Sequence, residues 1–210
     1  MPINVLIADD HQLVRQGLRA LLERDGFKVV GEAADGQQAL KLAEELHPEV
    51  AVLDLSMPLL NGIDTAREVQ RVSPKTRTVI LSMHTDPRYI LESLRAGAKG
   101  FVMKTHAAED LVRAIREAAR GGTYLSPEVS QAVVHAYQNK TEVPPDPLSA
   151  RERQVLQLIA EGKTTKEVAV TLDISVKTAE TYRTRIMEKL DIHETATLVR
   201  YAIRRGVVQP

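Results

Sequence analysis

Five polar side chains in the first half of the sequence could transfer a phosphoryl group if the fold brings them together. Asp9 and Asp10 are adjacent, and Asp54 is a third carboxylate. Clustered carboxylates raise one another's pKa unless a cation lies among them, and Mg²⁺ prefers such hard oxygen ligands. Ser82 and Lys104 add a hydroxyl and an ammonium, which suit a phosphoryl group better than a purely structural ion. Asp54 could attack phosphorus and form an aspartyl phosphate, while Mg²⁺ and Lys104 offset charge on the transferred oxygens.

Each member of this set comes at the end of a short apolar run that predicts a buried strand. Most of these runs are apolar at every position, which is typical of strands covered on both faces. Helical stretches lie between them, and the repeated alternation predicts a doubly wound α/β fold with a five-stranded parallel sheet. Because such strands end at one edge of the sheet, we expect the set to converge there. The predicted strands cover residues 5–8, 27–34, 50–53, 78–81 and 100–103.

The composition limits the classes of protein to which the chain can belong. It has 210 residues, of which 43% are hydrophobic, and no cysteine, so disulfides and thiolate chemistry are excluded. Apolar runs are short and the first ten residues include two acids, so we expect no membrane span or signal peptide, and a cytoplasmic location. Basic and acidic residues number 28 each, but residues 151–210 carry 11 basic and eight acidic residues. This excess permits nucleic-acid binding without proving it.

The strand–helix alternation stops at Gly121-Gly122, and a proline-rich stretch follows. Pro144-Pro145-Asp146-Pro147 predicts a semi-extended linker, because proline fixes φ and removes a backbone donor. We therefore predict a first domain at 1–122, a linker at 123–147 that contains a helix at 127–138, and a second domain at 148–210.

The second domain carries only helical signals. Ser149 with Glu152 and Thr164 with Glu167 are capping-box pairs, and Ser175 is a third N-cap. A short helix joined by a tight turn to a longer helix with one polar face predicts a helix-turn-helix in a small all-α domain. The longer helix presents an apolar stripe of Val176, Ala179, Tyr182, Ile186 and Leu190.

The polar face of the longer helix is left to enter a major groove of DNA. Glu180, Thr181 and Thr184 are candidates for reading bases, with Thr178 beside them, and Glu180 could accept from the cytosine amino group. On charge alone, an ordinary solvated helix is the better interpretation. Basic side chains nearby would contact phosphates, and these are Lys163, Lys166, Lys177, Arg183 and Arg185.

Roughly the first 120 residues resemble the receiver domain of two-component response regulators. The resemblance implies a flavodoxin-like fold with Asp54 as the phosphoacceptor. It also implies Mg²⁺ held by Asp10, Asp54 and the backbone carbonyl of Ser56, with Asp9 assisting through water. The stretches that carry the resemblance are Ile7-Ala8-Asp9-Asp10 and residues 54–62, 80–82 and 100–104.

The same resemblance implies a conformational switch. Ser82 turns toward the phosphoryl group, and Phe101 rotates inward behind it. Phe101 stands where tyrosine is more familiar, so this side chain forms no hydrogen bond in either state. Thr105 stands where many receivers have proline, which leaves the isomer of the Lys104–Thr105 peptide open.

The second domain resembles the LuxR-type helix-turn-helix on residues 148–156, 166–169 and 174–178, and on Lys189-Leu190. Together the two halves resemble the NarL/FixJ family of response regulators. The resemblance implies that the last helix forms a dimer surface through Leu198, Val199 and Ala202, although core packing competes for some of these side chains. It also implies a sensor histidine kinase, promoter DNA and a second copy as partners, with no membrane partner.

The sequence therefore predicts a regulator in which phosphorylation of Asp54 by a histidine kinase changes domain contacts and dimerisation, and so controls DNA binding and transcription. A phosphohydrolase of the haloacid-dehalogenase type needs a second aspartate two residues after the nucleophile, where Ser56 stands. We therefore do not expect a metabolic enzyme. The alternative is a DNA-binding regulator that is independent of phosphorylation and has an inert receiver.

Overall fold

A computed structural model describes residues 2–138 and 146–208, except for the side chains of His106 and Ala107. The chain divides into two compact units, one within residues 1–143 and the other within 144–210. Residues 139–145 of the predicted linker lie outside the described residues, and the linker and the domain limits stay predictions. None of the helices in the two described stretches is both long and apolar enough to cross a bilayer.

The first unit is built on a parallel sheet with the strand order β2-β1-β3-β4-β5-β6, as predicted for a doubly wound fold. A 3₁₀ turn at Lys104–His106 joins β5 to the next helix. The strands are β1 (Asn4–Ala8), β2 (Lys28–Ala33), β3 (Val50–Asp54), β4 (Arg77–Ser82), β5 (Gly100–Met103) and β6 (Tyr124–Leu125). The helices are α1 (Gln12–Arg24), α2 (Gly36–Leu46), α3 (Gly62–Val72), α4 (Pro87–Arg95), α5 (Ala107–Ala119) and α6 (Pro127–Gln138).

Helices cover both faces of this sheet. Successive residues of a strand point to opposite faces. In β1, Val5 and Ile7 pack in one core with α1 and α5, whereas Leu6 and Ala8 pack in a second core with α2, α3 and α4. Both sets of side chains are therefore buried, which is why the central runs are apolar at every position instead of every second one.

The structure corrects the predicted number of strands from five to six. Leu125 of β6 lies opposite Phe101 of β5, and the Ser126 backbone N–H donates to the Phe101 carbonyl at 3.2 Å. The next helix, α6, buries Val129 fully in the same core as Phe101. A strand of two residues is too short to give a periodic sequence pattern, so the sequence analysis placed these residues in the linker.

Capped helices form the second unit. In each capping box the N-cap hydroxyl accepts the backbone N–H of the glutamate, and the glutamate carboxylate accepts the backbone N–H of the N-cap residue. Both predicted boxes, Ser149 with Glu152 and Thr164 with Glu167, are therefore confirmed. Ser175 caps the long helix as predicted. Within residues 146–208 the helices are α7 (Ala150–Ala160), α8 (Thr165–Thr171), α9 (Val176–Leu190) and α10 (Thr195–Arg204).

The apolar stripe of α9 is shorter than predicted. Ala179 and Ile186 are buried, and Tyr182 and Leu190 are half-buried. Val176 is 41% exposed, because it lies in the first turn of α9, where the residues that follow it are exposed as well. The packed part of α9 therefore begins one turn after its N-cap.

Two of the three predicted dimer residues lie inside the helical unit. Leu198 and Ala202 of α10 are fully buried. Their side chains therefore pack in the core, the competing role noted above, and cannot contact a second copy. Val199 is half-buried. It is the one member of the predicted set with surface to offer a partner.

The Glu152 carboxylate forms an ion pair within the helical unit. Lys189 Nζ donates to its carboxylate at 2.7 Å, and the Glu152 side chain is only 5% exposed. Burial raises the pKa of Glu152, but the bonds from Lys189 and Ser149 outweigh burial and hold the pKa below its usual value. A lowered pKa in the folded state gives stability above the unfolded pKa that is lost as the pH falls through the folded pKa.

We expect Glu152→Gln to lower the free energy of unfolding of the second unit by about 1 kcal/mol at neutral pH. Glutamine keeps an acceptor for the cap but replaces a charge-assisted bond to Lys189 with a neutral one. The difference from wild type should shrink in acid, where Glu152 is protonated. Urea unfolding followed through the amide signals of Val155 and Leu158 measures it. Glu188→Gln, which changes an exposed carboxylate of α9, is the control, and equal losses in both variants would contradict this account.

Candidate functional site

Three of the predicted charged residues meet at the carboxyl edge of the sheet. Lys104 Nζ lies 2.7 Å from Asp9 Oδ2 and 2.9 Å from Asp54 Oδ1. Asp9 is fully buried and Asp54 is 5% exposed. One ammonium therefore bridges two carboxylates that water hardly reaches.

The register of the sheet accounts for this convergence. Asp54 at the end of β3 lies opposite Leu81 on β4. Ser82 lies opposite Met103, the residue before Lys104. Neighbouring strands therefore end nearly level, and the residues that follow them share one edge.

Close backbone contacts fix the loop that follows Asp54. A Cβ atom at Gly62 would lie 2.2 Å from the Asp54 carbonyl oxygen, so glycine is needed for this approach. Asn61 caps α3 through its side chain. Leu59 has a φ of 67°, a left-handed conformation that is uncommon for residues other than glycine and often found at functional sites. The loop that carries Ser56 is therefore held against the strand that ends in Asp54.

Burial and the Lys104 cation act in opposite directions on Asp54. Burial raises the pKa of Asp54 and the Lys104 ammonium lowers it, and burial is the larger effect, so the pKa lies above its usual value. Burial alone would lower the pKa of Lys104, but the Asp54 and Asp9 carboxylates raise it above its usual value. Lys104 therefore stays charged and supports the ionised form of Asp54.

Asp10 and His11 extend the site toward solvent. His11 Nδ1 lies 2.7 Å from Asp10 Oδ1, and the His11 backbone N–H donates to Asp9 Oδ1 at 2.9 Å. One ligand atom from each of these three residues lies within 4.8 Å of the other two, which is close enough for a shared cation. Two carboxylates suit a hard divalent ion such as Mg²⁺. The sequence analysis did not assign His11 to the site, although its place directly after the aspartate pair is a signal.

The predicted switch residues have other partners in this structure. The Ser82 hydroxyl donates to the His84 carbonyl at 3.1 Å and accepts the His84 N–H at 2.9 Å, so it holds the loop after β4. Phe101 is fully buried, and Ser56 is half-buried. The described residues contain no cis peptide bond, so the Lys104–Thr105 peptide is trans.

Most of the residues predicted to contact DNA are exposed in the second unit. Lys163 and Arg183 are half-buried. The exposed ones are Lys166 on α8 and Lys177, Thr178, Glu180, Thr181, Thr184 and Arg185 on α9.

Among these side chains, Arg183, Thr178 and Thr181 also have structural partners. Arg183 Nη2 donates to Thr195 Oγ1 at 2.7 Å and so ties α9 to α10. Thr178 Oγ1 lies 2.8 Å from Ser175 Oγ at the N-cap of α9. The sequence spacing could not reveal either bond, because the first depends on the angle between α9 and α10 and the second on side-chain rotamers.

Comparison with known families agrees with this geometry. Residues 5–116 match the family described as response regulator receiver domain, and residues 146–202 match the family described as bacterial regulatory proteins, luxR family. The chain belongs to the response regulator family. This response regulator combines a receiver domain with a LuxR-type helix-turn-helix domain, which confirms the resemblance and the predicted fold class.

Two relatives match this response regulator over nearly their whole length. It is 41% identical over 207 residues to the transcriptional regulatory protein MctR of Rhizobium johnstonii, covering 98% of this chain and 95% of MctR. It is 37% identical over 208 residues to the response regulator UvrY of Escherichia coli K12, with the same two coverages. These relatives agree with the prediction that the chain is not a metabolic enzyme.

A solved structure shows similarity across both domains. This response regulator is 29% identical to RcsB from Salmonella enterica serovar Typhimurium, solved bound to promoter rprA in the presence of phosphomimetic BeF3−. The match covers 96% of this chain and 98% of that chain, with a TM-score of 0.62.

We expect Gly62→Ala to lower the free energy of unfolding of the first unit by about 1–3 kcal/mol, because the new methyl group would overlap the Asp54 carbonyl. Urea unfolding of the metal-free protein, followed through first-unit amide signals, measures the change. Gly17→Ala is the matched control. Apart from its chain neighbours and the backbone of α1 itself, no atom lies within 4 Å of its new Cβ, and alanine in the exposed interior of α1 should stabilise by about 0.5–1 kcal/mol. Similar effects of the two substitutions would contradict the packing argument.

Proposed function

We propose that Asp54 accepts a phosphoryl group from a sensor histidine kinase, and that this modification controls DNA binding by the second unit. The observation that carries the proposal is the Lys104 ammonium between two buried carboxylates at the carboxyl edge of the sheet. In the transfer, an Asp54 carboxylate oxygen attacks phosphorus and the phosphorus–nitrogen bond to the kinase histidine breaks. The imidazole leaves with that electron pair.

The side chains around Asp54 stabilise the charge that arrives with the phosphoryl group. Lys104 Nζ, 2.9 Å from Asp54 Oδ1, is close enough to offset charge on the transferred oxygens. Asp10, Asp54 and the carbonyl of Ser56 would hold Mg²⁺, with Asp9 assisting, and the bound ion supplies further positive charge at the phosphoryl oxygens. Two of these residues, Asp9 and Asp10, have carboxylate oxygens within 4.8 Å of each other, which supports this proposal.

Ser82 and Phe101 transmit the effect of Asp54 phosphorylation to the helices around the site. To reach the phosphoryl group, the Ser82 hydroxyl gives up its bonds to His84, which frees the loop before α4. Phe101 lies in the same core as α4 and α6, so a change of its packing shifts these helices. The altered surface then changes the contacts between domains and favours dimers on two DNA half-sites.

The partners in this proposal are the kinase, promoter DNA and a second copy of the chain. The exposed side of α10 around Val199 is the proposed dimer surface. The DNA-binding residues are those of α9 and the basic side chains near α8. Because bacterial promoter DNA lies in the cytoplasm, we propose that the protein acts there.

Acetyl phosphate with Mg²⁺ should add one phosphoryl group to the wild type and none to Asp54→Ala, as measured by intact mass. Asp35→Ala, which removes a half-buried carboxylate at the N-cap of α2, is the control and should still be modified. Dimerisation and DNA affinity, measured on the same samples, should rise only where the mass does. No gain in the wild type, with unchanged DNA binding, would contradict the proposal and support a regulator that is independent of phosphorylation.

Lys177→Ala should weaken binding to all DNA sequences and reduce the slope of log affinity against log salt by about one unit, because it removes one phosphate contact. Thr181→Ala should instead change the preferred sequence. Fluorescence anisotropy over a salt series measures both effects, and Lys41→Ala on the exposed face of α2 is a charge-matched control. If both α9 variants lost the same affinity on every sequence, the division into phosphate-contacting and base-reading residues would be wrong.

A further inference from the structure

Threonine hydroxyls in the first turns of α9 are used within the helix itself. Thr181 Oγ1 donates to the backbone carbonyl of Lys177 at 2.9 Å. Thr178 Oγ1 lies 2.8 Å from Ser175 Oγ, and Ser175 Oγ in turn accepts the Thr178 backbone N–H at 3.0 Å. Both residues are nevertheless exposed. What they show to a partner therefore differs from what their residue type suggests.

We infer that Thr181 reads its base through its methyl group, and that this base is a thymine. A hydroxyl has one proton, and the Thr181 hydroxyl gives its proton to the Lys177 carbonyl. The branched Cβ restricts χ1, so Oγ1 stays against the preceding turn and Cγ2 is left on the exposed side. The thymine C5-methyl group projects into the major groove, where a threonine methyl can contact it.

This inference rests on the proposed DNA binding by α9 and assigns a chemistry to one of its positions. The Glu180 carboxylate beside Thr181 offers only acceptors, so it selects a donor such as the cytosine amino group. Thr184 lies on the same exposed face one turn later, and no hydrogen bond of its hydroxyl is found among the described residues. Thr184 is thus a matched threonine whose hydroxyl is not committed to the helix.

The test uses the full chain with Mg²⁺ and BeF3⁻, and the duplex of highest affinity recovered by selection from random DNA. Each thymine of a half-site is replaced singly by deoxyuridine, which keeps the base pair and removes the C5-methyl. At one thymine, deoxyuridine should weaken wild-type binding about fourfold, the value of one buried methyl contact. Thr181→Val, which keeps a methyl and has no hydroxyl, should keep this sensitivity.

Thr181→Ser keeps the hydroxyl and loses the methyl. It should bind the thymine duplex about fourfold more weakly than wild type and should not distinguish deoxyuridine at that position. Thr184→Ser removes the methyl of another base-reading candidate, and whatever its effect on overall affinity, it should remain sensitive to deoxyuridine at that position. The inference is overturned if Thr181→Val loses the sequence preference while Thr181→Ser keeps it, because the hydroxyl would then read the base. It is also overturned if wild type tolerates deoxyuridine at every thymine.

Failure of the proposed function gives a different result. In that case the wild type recovers no preferred sequence from the random DNA, and the inference falls with the proposal. A preferred sequence with no thymine sensitive to deoxyuridine defeats the inference alone and leaves DNA binding by α9 standing.

Discussion

The structure of the first unit depends on the ion pairs that the Lys104 ammonium forms with Asp9 and Asp54. Asp9 and Asp54 are both removed from water, and two like charges in that position are costly unless a cation lies between them. The cation must come from a third strand end, so β5 has to finish level with β3 although β4 lies between them. The helices on both faces of the sheet, and the glycine that brings the next loop onto Asp54, keep those three ends in place.

The two units treat their charges in different ways. In the receiver domain, the Asp9 and Asp54 carboxylates are buried, and the Lys104 ammonium compensates their charge. In the helix-turn-helix domain, Lys189 and Arg183 are engaged with other helices, whereas Lys177 and Arg185 are left exposed. The face proposed to meet DNA thus consists of the side chains that remain after the helices have been capped and tied together. In this proposal, hydrogen bonds within α9 decide which atoms of that face a base can meet.

Patterns that repeat along the sequence predicted most of the fold and the acidic site. The apolar runs predicted the central strands. Because Asp9, Asp54 and Lys104 each follow one of these runs, the sequence also predicted that they share one edge of the sheet. Local hydrogen-bond patterns predicted the caps at Ser149 and Thr164. The sequence gives no sign of features that depend on packing between distant elements or on rotamers. The two-residue strand β6 and the committed hydroxyl of Thr181 belong to that group.

The pairing of β6 with β5 has a consequence for any shortened form of the protein. The family match to the receiver domain ends at residue 116, before β6 begins. A fragment cut there would leave β5 as an open edge strand, with the carbonyl of Phe101 and its neighbours lacking the donors that Tyr124 and Ser126 supply. It would also uncover the apolar surface beneath Val129. Open strand edges beside exposed apolar surface promote self-association. By covering the edge of β5 and the apolar surface next to it, β6 and α6 therefore protect the protein from aggregation.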